Sequence, residues 1–354
     1  EHAYGYDQLW NRGLHGENMT VNLVEIDAAD SNDVQNYLDC VNFQGQVQFT
    51  DVDGAPTSSL GENTLDIQMV AGLARSSNIN VYETDDNTSG DIWTNVNDEL
   101  QQIINDNTNN VSSGQVVSIS LGAGEDQVSS QAMRAIDQSL QILNQSEHMT
   151  VFVASGDCGA FADQRFGHLS VSFPASDPWA TAVGGTTLQV DGNGNRTNET
   201  AWSSGSNPFS CKNRWGTGGG NSQVFGHPGW QTGNGVQNSA STGGRQVPDI
   251  SAVAYALAIY YNGQWGGASG TSAAAPIWAA GMVLMNQGLM KDTGKFTYSP
   301  RLFYDAQAGG SPYNDITSGT NLHFRAGPGW DYTTGLGSPN LASVYQHLAQ
   351  LLRR

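Results

Sequence analysis

Four apolar runs of strand length, separated by helix-like stretches, fill the first 155 residues. This alternation restricts the fold more than any other feature of the chain. The runs are TVNLVEI (20–26), INVYET (79–84), QVVSISL (115–121) and MTVFVAS (149–155). They are rich in Val and Ile and nearly continuous in apolar character, as strands buried on both faces are. Helical character is read around 32–42 and over 61–75, 91–106 and 130–147, and again over 272–290. Within 61–75, Leu65, Met69 and Leu73 recur on one face. The pattern predicts an α/β chain with a parallel central sheet covered by helices on both faces.

From about 185 to 245 the character changes. The stretch is rich in Gly, Ser, Asn and Thr, with turn signals such as DGNGN and GTGGGNS. Trp202, Trp215, Phe225 and Trp230 are spread through it, which a disordered linker does not need. It reads as long Gly/Ser-rich loops and short strands of the same domain. No period repeats, so residues 1–354 are expected to form a single domain.

Charge narrows the function. Lys and Arg total 14 against 33 Asp and Glu, a net charge of −19 at pH 7. Such a chain does not neutralise phosphates, so no nucleic-acid partner is expected. With few cations, protonation of its carboxylates leaves only modest positive charge, which suits an acidic medium. No run of eighteen apolar residues is present, so no membrane span is expected. The first residues, EHAYGYDQLW, carry no signal-peptide pattern. Three cysteines, Cys40, Cys158 and Cys211, allow one bridge and one free thiol, without fixing the pairing. Sequons at Asn18, Asn87, Asn110, Asn144, Asn195 and Asn198 are as many as this composition gives by chance.

The strongest chemical signal is GGASGTSAAAP (266–276). Small residues lead into Ser272, and an Ala-rich helix follows, with Pro276 expected in its first turn. That places Ser272 at a helix N-terminus, where free N–H groups favour negative charge. Ser at a helix start is commonly only a cap, but the G-T-S-A-x-x-P string resembles the nucleophile motif of the subtilisin clan. A serine nucleophile needs a base. Where subtilisins place a His, the segment LGENTLDIQMVAG (60–72) has Glu62, with Asp66 four residues on and on the same helix face. Adjacent carboxyls do not both ionise easily, so the pair holds a proton into the acid range and can take one from Ser272 where imidazole is already protonated. After the strand VFVAS, Asp157 of Ser155-Gly156-Asp157 stands where subtilisins place an oxyanion-binding Asn. An Asp donates there only when protonated. The histidines (His2, His15, His148, His168, His227, His323 and His347) are scattered and form no zinc motif.

On these motifs, with AYGYDQLW (3–10), SFPASDPWATAVGGTTL (172–188), GTGGGNS (216–222) and VPDISA (247–252), the chain resembles the sedolisins, or serine-carboxyl peptidases, over nearly its whole length. The resemblance implies the subtilisin-like fold and a secreted, acid-acting peptidase. It implies a nucleophile, Ser272, a base pair, Glu62 and Asp66, and an oxyanion donor, Asp157. Ser118, Ser120, Leu121 and Gly122 would flank a peptide or protein substrate. Glu25 matches a Glu that extends the carboxyl network in some members, although Leu121 stands where those members carry an aromatic residue. Two aspartates near glycines, Asp315-Ile316 and GPGWD (327–331), supply hard oxygen ligands suited to Ca²⁺. The family pattern implies one structural ion on Asp315 and Asp331 and the carbonyls of Ile316, Gly327 and Gly329. The resemblance also implies a monomer that is made with an N-terminal propeptide, absent from this sequence. Endopeptidase and tripeptidyl-peptidase modes both remain open. Two other readings compete: a Ser/His/Asp protease using Asp27, and an inactive binding protein on a peptidase scaffold.

Overall fold

The computed structural model describes residues 1–85, 91–110, 115–165, 167–204, 211, 214–298, 300–307 and 310–353. The Asn87 sequon lies outside the described residues. In chain order the strands are β1 (Thr20–Glu25), β2 (Val47–Asp51), β3 (Asn78–Glu83), β4 (Val116–Ile119), β5 (Ala123–Gly124), β6 (Thr150–Ala154), β7 (Ser172–Phe173), β8 (Thr181–Val190), β9 (Arg196–Ala201), β10 (Gly220–Gly226), β11 (Gly244–Val247), β12 (Ile250–Val253), β13 (Leu257–Tyr261) and β14 (Gln264–Ala268). The α-helices are α1 (Tyr6–Trp10), α2 (Ser31–Val41), α3 (Glu62–Leu73), α4 (Ile92–Asn110), α5 (Ser130–Gln145), α6 (Thr271–Thr293), α7 (Arg301–Gln307) and α8 (Leu341–Leu352).

Seven parallel strands lie in the order β2-β3-β1-β4-β6-β8-β12, and β9 pairs antiparallel with β8. Side chains alternate across this sheet, as the period of two requires. Val21 and Leu23 of β1 enter a core shared with α2, α3, α6 and α8. Val24 enters the opposite core, with Trp93, Val96, Leu100 and Ile103 of α4 and Met133, Ile136 and Leu140 of α5. Helices therefore cover both faces, as the alternation in the sequence requires.

Helix α6 is apolar on all sides and buried from Ala273 to Met285, because it runs through the middle of one core. Helix α3 packs against it. α3 is buried all round, not on one stripe only, and its polar residues are hydrogen-bonded. Asn63 donates to the Asp27 carbonyl and to Glu83, and Gln68 donates to the Tyr260 carbonyl at 2.7 Å. No apolar run marks β2, an edge strand with little apolar character whose Phe49 is 46% exposed.

The chain leaves β1 outward to β2, returns to β3, and only then crosses to β4 on the other side of β1. Strand order reverses there, so a crevice opens at the carboxyl ends of β1 and β4. The N-termini of α3 and α6 reach the same crevice, as their first residues, Glu62 and Thr271-Ser272, make clear below.

Candidate active site

Ser272 is the second residue of α6, so its backbone N–H has no acceptor within the helix. Pro276 falls in the second turn rather than the first, because the helix begins at Thr271. The position matters. Pro276 has no N–H, so the Ser272 carbonyl loses its normal helical donor. That carbonyl accepts instead from the Ser120 hydroxyl at 3.0 Å.

Ser120 Oγ is also 2.5 Å from Asp66 Oδ2. A hydroxyl has one hydrogen. If Ser120 gives it to the Ser272 carbonyl, the short contact needs a proton on Asp66, with Ser120 as acceptor. Burial points the same way. Asp66 is fully buried and its pKa is raised well above the usual carboxylate range, first by desolvation and then by the charge of Glu62. Glu25, at the end of β1, is raised well above its ordinary value by burial and by the charges of Asp66 and Glu62. Glu25 Oε1, Asp66 Oδ1 and Glu62 Oε1 are buried with no amide or hydroxyl donor. Carboxyls packed this way must share protons.

Glu62 opens α3. Burial pushes its pKa up to about 7, the Ser272 hydroxyl lowers it, and the charges of Asp157 and Asp27 raise it. The Ser272 hydroxyl lies 3.2 Å from the Ser120 carbonyl oxygen and also reaches the Glu62 carboxyl. Asp27 accepts the backbone N–H groups of Leu60, Gly61 and Asn63 at 2.6, 2.9 and 3.1 Å. It thereby caps α3 and fixes where Glu62 points. Asp27 is committed to backbone and cannot orient an imidazole, and among the described residues no histidine lines the cleft. The Ser/His/Asp alternative fails on both counts.

Asp157 follows β6. Its Oδ1 accepts the N–H and the hydroxyl of Thr271, both at 2.8 Å. Burial raises its pKa, and the two Thr271 bonds oppose that rise. Because Oδ1 is occupied, Oδ2 is the oxygen left to carry a proton, and it lies 3.0 Å from where a Cβ on Gly270 would stand. Any side chain at 270 would crowd this donor. A carboxylic O–H and the free N–H of Ser272 thus stand near one hydroxyl, the constellation needed to stabilise an oxyanion.

The cleft is lined by Ser120, Leu121, Gly122, Ala154, Asp157, Cys158 and Trp215, with Ser272 at its end. Ser120, Leu121 and Gly122 stand where the resemblance puts them. Ser118 does not. It is fully buried, and β4 is paired on both edges there, with Leu23 and with Phe152, so no substrate can reach it. Two features of the site escaped the sequence reading. Thr271 orders Asp157, and its place beside Ser272 was the available signal. Cys158 bridges to Cys211, leaving Cys40 free and exposed. That bridge forms part of the cleft wall, a pairing that spacing alone could not give.

Asp331 and Asp315 both hold the glycine loop between them: Gly327 N–H donates to Asp331 at 2.8 Å and Gly329 N–H to Asp315 at 3.0 Å. The described group of three metal-type ligands lies elsewhere, at Asp126, Asp163 and His168. There Arg165 pairs with both aspartates, so their charge already has a cation.

Among the described residues no helix is long and apolar enough to cross a membrane. Residues 50–301 match the model of the Subtilase family. Kumamolisin of Bacillus sp. (strain MN-32) is 32% identical over 349 residues, 92% of this chain and 59% of the relative. Sedolisin of Pseudomonas sp. (strain 101) is 31% identical over 303 residues, 81% of this chain and 49% of the relative. The chain therefore spans about half the length of these curated relatives. The solved structure of Pseudomonas sedolisin, a serine-carboxyl proteinase complexed with two molecules of pseudo-iodotyrostatin, superposes with a TM-score of 0.82 at 29% identity, covering 95% of this chain and 93% of that one. The chain belongs to the subtilase family, and within it to the sedolisins, the serine-carboxyl peptidases with a subtilisin-like fold.

Proposed function

We propose that the protein is an acid-acting peptidase that hydrolyses peptide bonds through an acyl-enzyme on Ser272. Ser272 Oγ attacks the scissile carbonyl, and its proton passes to Glu62. Asp66 keeps its own proton through Ser120, so Glu62 is the member of the pair free to ionise. Asp157 Oδ2–H and the Ser272 N–H donate to the oxyanion. Glu62 then returns the proton to the leaving amine, and water enters by the reverse route. The observation that carries this reading is the meeting of Ser272, Glu62, Asp66 and Asp157 at one end of the cleft, with the Ser272 hydroxyl reaching Glu62, the one acid of the buried pair left to accept its proton. The two family relatives and their matching core support it. Secretion, a monomeric state and synthesis with a propeptide belong to the same proposal; the Cys158–Cys211 bridge supports an oxidising compartment.

We also propose one structural calcium ion on the carboxylates of Asp315 and Asp331 and the carbonyls of Ile316, Gly327 and Gly329. The donor set fits. All are hard oxygens, and both carboxylates already grip the same loop, with Asp331 further held by Thr333 and Thr334. The ion would act on stability and take no part in the reaction.

Three outcomes are expected. Peptide cleavage near pH 4 should trap an acyl adduct on the peptide containing Ser272, and Ser272→Ala should lose turnover by several orders of magnitude. Near-normal cleavage by that variant, or an adduct elsewhere, contradicts the assignment. Excess Ca²⁺ over EDTA at about pH 5 should raise Tm, by the equivalent of about 2.7 kcal/mol at a hundredfold excess over Kd, and the increment should vanish in Asp331→Ala. Equal Tm with and without EDTA contradicts the site.

Stability without calcium should follow the raised carboxyls. Burial lifts Glu25, Asp66, Glu99 and Asp177 well above their ordinary values, and Glu62 and Glu83 to about 7. The lowered carboxyls, Glu17, Asp191 and Asp292, are mostly solvated and weigh little. The folded chain therefore keeps protons that the unfolded chain releases above about pH 4.5, and stability must fall as pH rises from there through about 7. In EDTA, Tm should be higher at about pH 4.5 than at pH 8; the reverse order contradicts the protonation scheme.

A further inference from the structure

The turn leading to Glu62 carries apolar surface that the acyl-transfer chemistry does not use. Leu60 is 66% exposed, although its backbone is pinned by the bond from its N–H to Asp27. Beside it, the half-buried Tyr261 lays its ring on Gly61. A Cβ at Gly61 would stand 3.1–3.2 Å from that ring, and φ there is +93°. Glycine is required on both counts. The Tyr261 hydroxyl donates to the Ser59 carbonyl at 3.4 Å.

Tyr261 ends β13, and the β13–β14 hairpin is a fixed platform. The Gln68 amide of α3 both donates to the Tyr260 carbonyl, at 2.7 Å, and accepts from the Tyr260 N–H, at 2.8 Å. The Gly263 N–H donates to Asp33 at 2.9 Å. From β14 the chain runs through Ser269 and Gly270 directly to Ser272. The hairpin is thus tied to the base at one end and to the nucleophile at the other. A lone exposed leucine needs no explanation. A leucine and a tyrosine clamped against the residue before the base need one.

Side chains of an extended peptide point alternately to opposite sides. A peptide that places the side chain of its attacked residue in the cleft walled by Ala154, Cys158 and Trp215 follows this rule. Glu62 reaches the Ser272 hydroxyl but does not line that cleft, so the side chain of the preceding residue turns toward Glu62 and the surface flanking it. We propose that Leu60 and Tyr261 form the subsite for that preceding residue and select an apolar side chain there. The proposal rests on the peptidase reading above.

The test is a series of fluorogenic peptides identical except at that position, which carries Gly, Leu, Phe or Lys. The series is cleaved in acid by wild type, Leu60→Ser and Tyr261→Ala, with Tm measured for each. Wild type should favour Leu and Phe over Gly by about tenfold or more in kcat/KM. Leu60→Ser, an exposed change that leaves Tm unaltered, should bring that ratio to within about threefold of unity, and Tyr261→Ala should lower it too. Preference at the following residue, which enters the cleft, should not move in either variant; a general distortion of the site would move both. A wild type that cleaves every peptide equally, or a ratio unchanged in both variants, overturns the subsite alone. A wild type that cleaves none of them overturns the peptidase reading and the subsite with it.

Discussion

Everything at this site depends on burying carboxyl groups together where water cannot solvate their charges. Taking one ionised carboxylate out of water is costly, and packing a second beside it is costlier. Glu25, Asp66 and Glu62 lower that cost by holding protons in common, and the hydroxyls of Ser120 and Ser272 are the ones that reach Asp66 and Glu62. A histidine in the place of Glu62 would require the opposite: a group that ionises when it gains a proton, inside a crevice already crowded with acids. The acid character of the site is therefore a consequence of its packing, and it reaches beyond the reacting atoms to the stability of the whole domain.

The fold supplies the geometry through two helices rather than through the sheet itself. Helix α3 delivers Glu62 and Asp66, with Asp27 as its cap; helix α6 delivers Ser272 and, through Pro276, a carbonyl released from its helical donor and taken up by the Ser120 hydroxyl. Both N-termini meet where strand order reverses, so the free N–H groups of a helix start face the place where negative charge develops. Thr271 joins the halves: it belongs to α6 and holds Asp157 of the loop after β6. Shifting any one of these elements by a turn would separate Ser272 from Glu62.

Much of this was legible in the sequence, and the reasons are physical. Strands buried on both faces are apolar throughout, so β1, β3, β4 and β6 stood out. The edge strand β2, half in solvent, had no such signature. The candidate residues drew attention because small residues surround Ser272 and because carboxyls stand together where His and Asn were expected. Ser118 was misplaced because a strand sequence does not say where pairing stops. The Cys158–Cys211 bridge and the Tyr261–Gly61 contact join residues 53 and 200 positions apart. They depend on tertiary closeness that no local pattern encodes.

The central claim is that Asp157 must be protonated to act, and the pH dependence of single-turnover acylation tests it most directly. Asparagine reproduces the geometry: its carbonyl can accept from Thr271 while its amide donates where Oδ2–H did, at every pH. Wild type should lose rate as pH rises through the raised pKa of Asp157, by about tenfold per pH unit above it. Asp157→Asn should lack that limb, so its rate relative to wild type should climb steadily with pH. Parallel profiles for the two proteins would contradict the account.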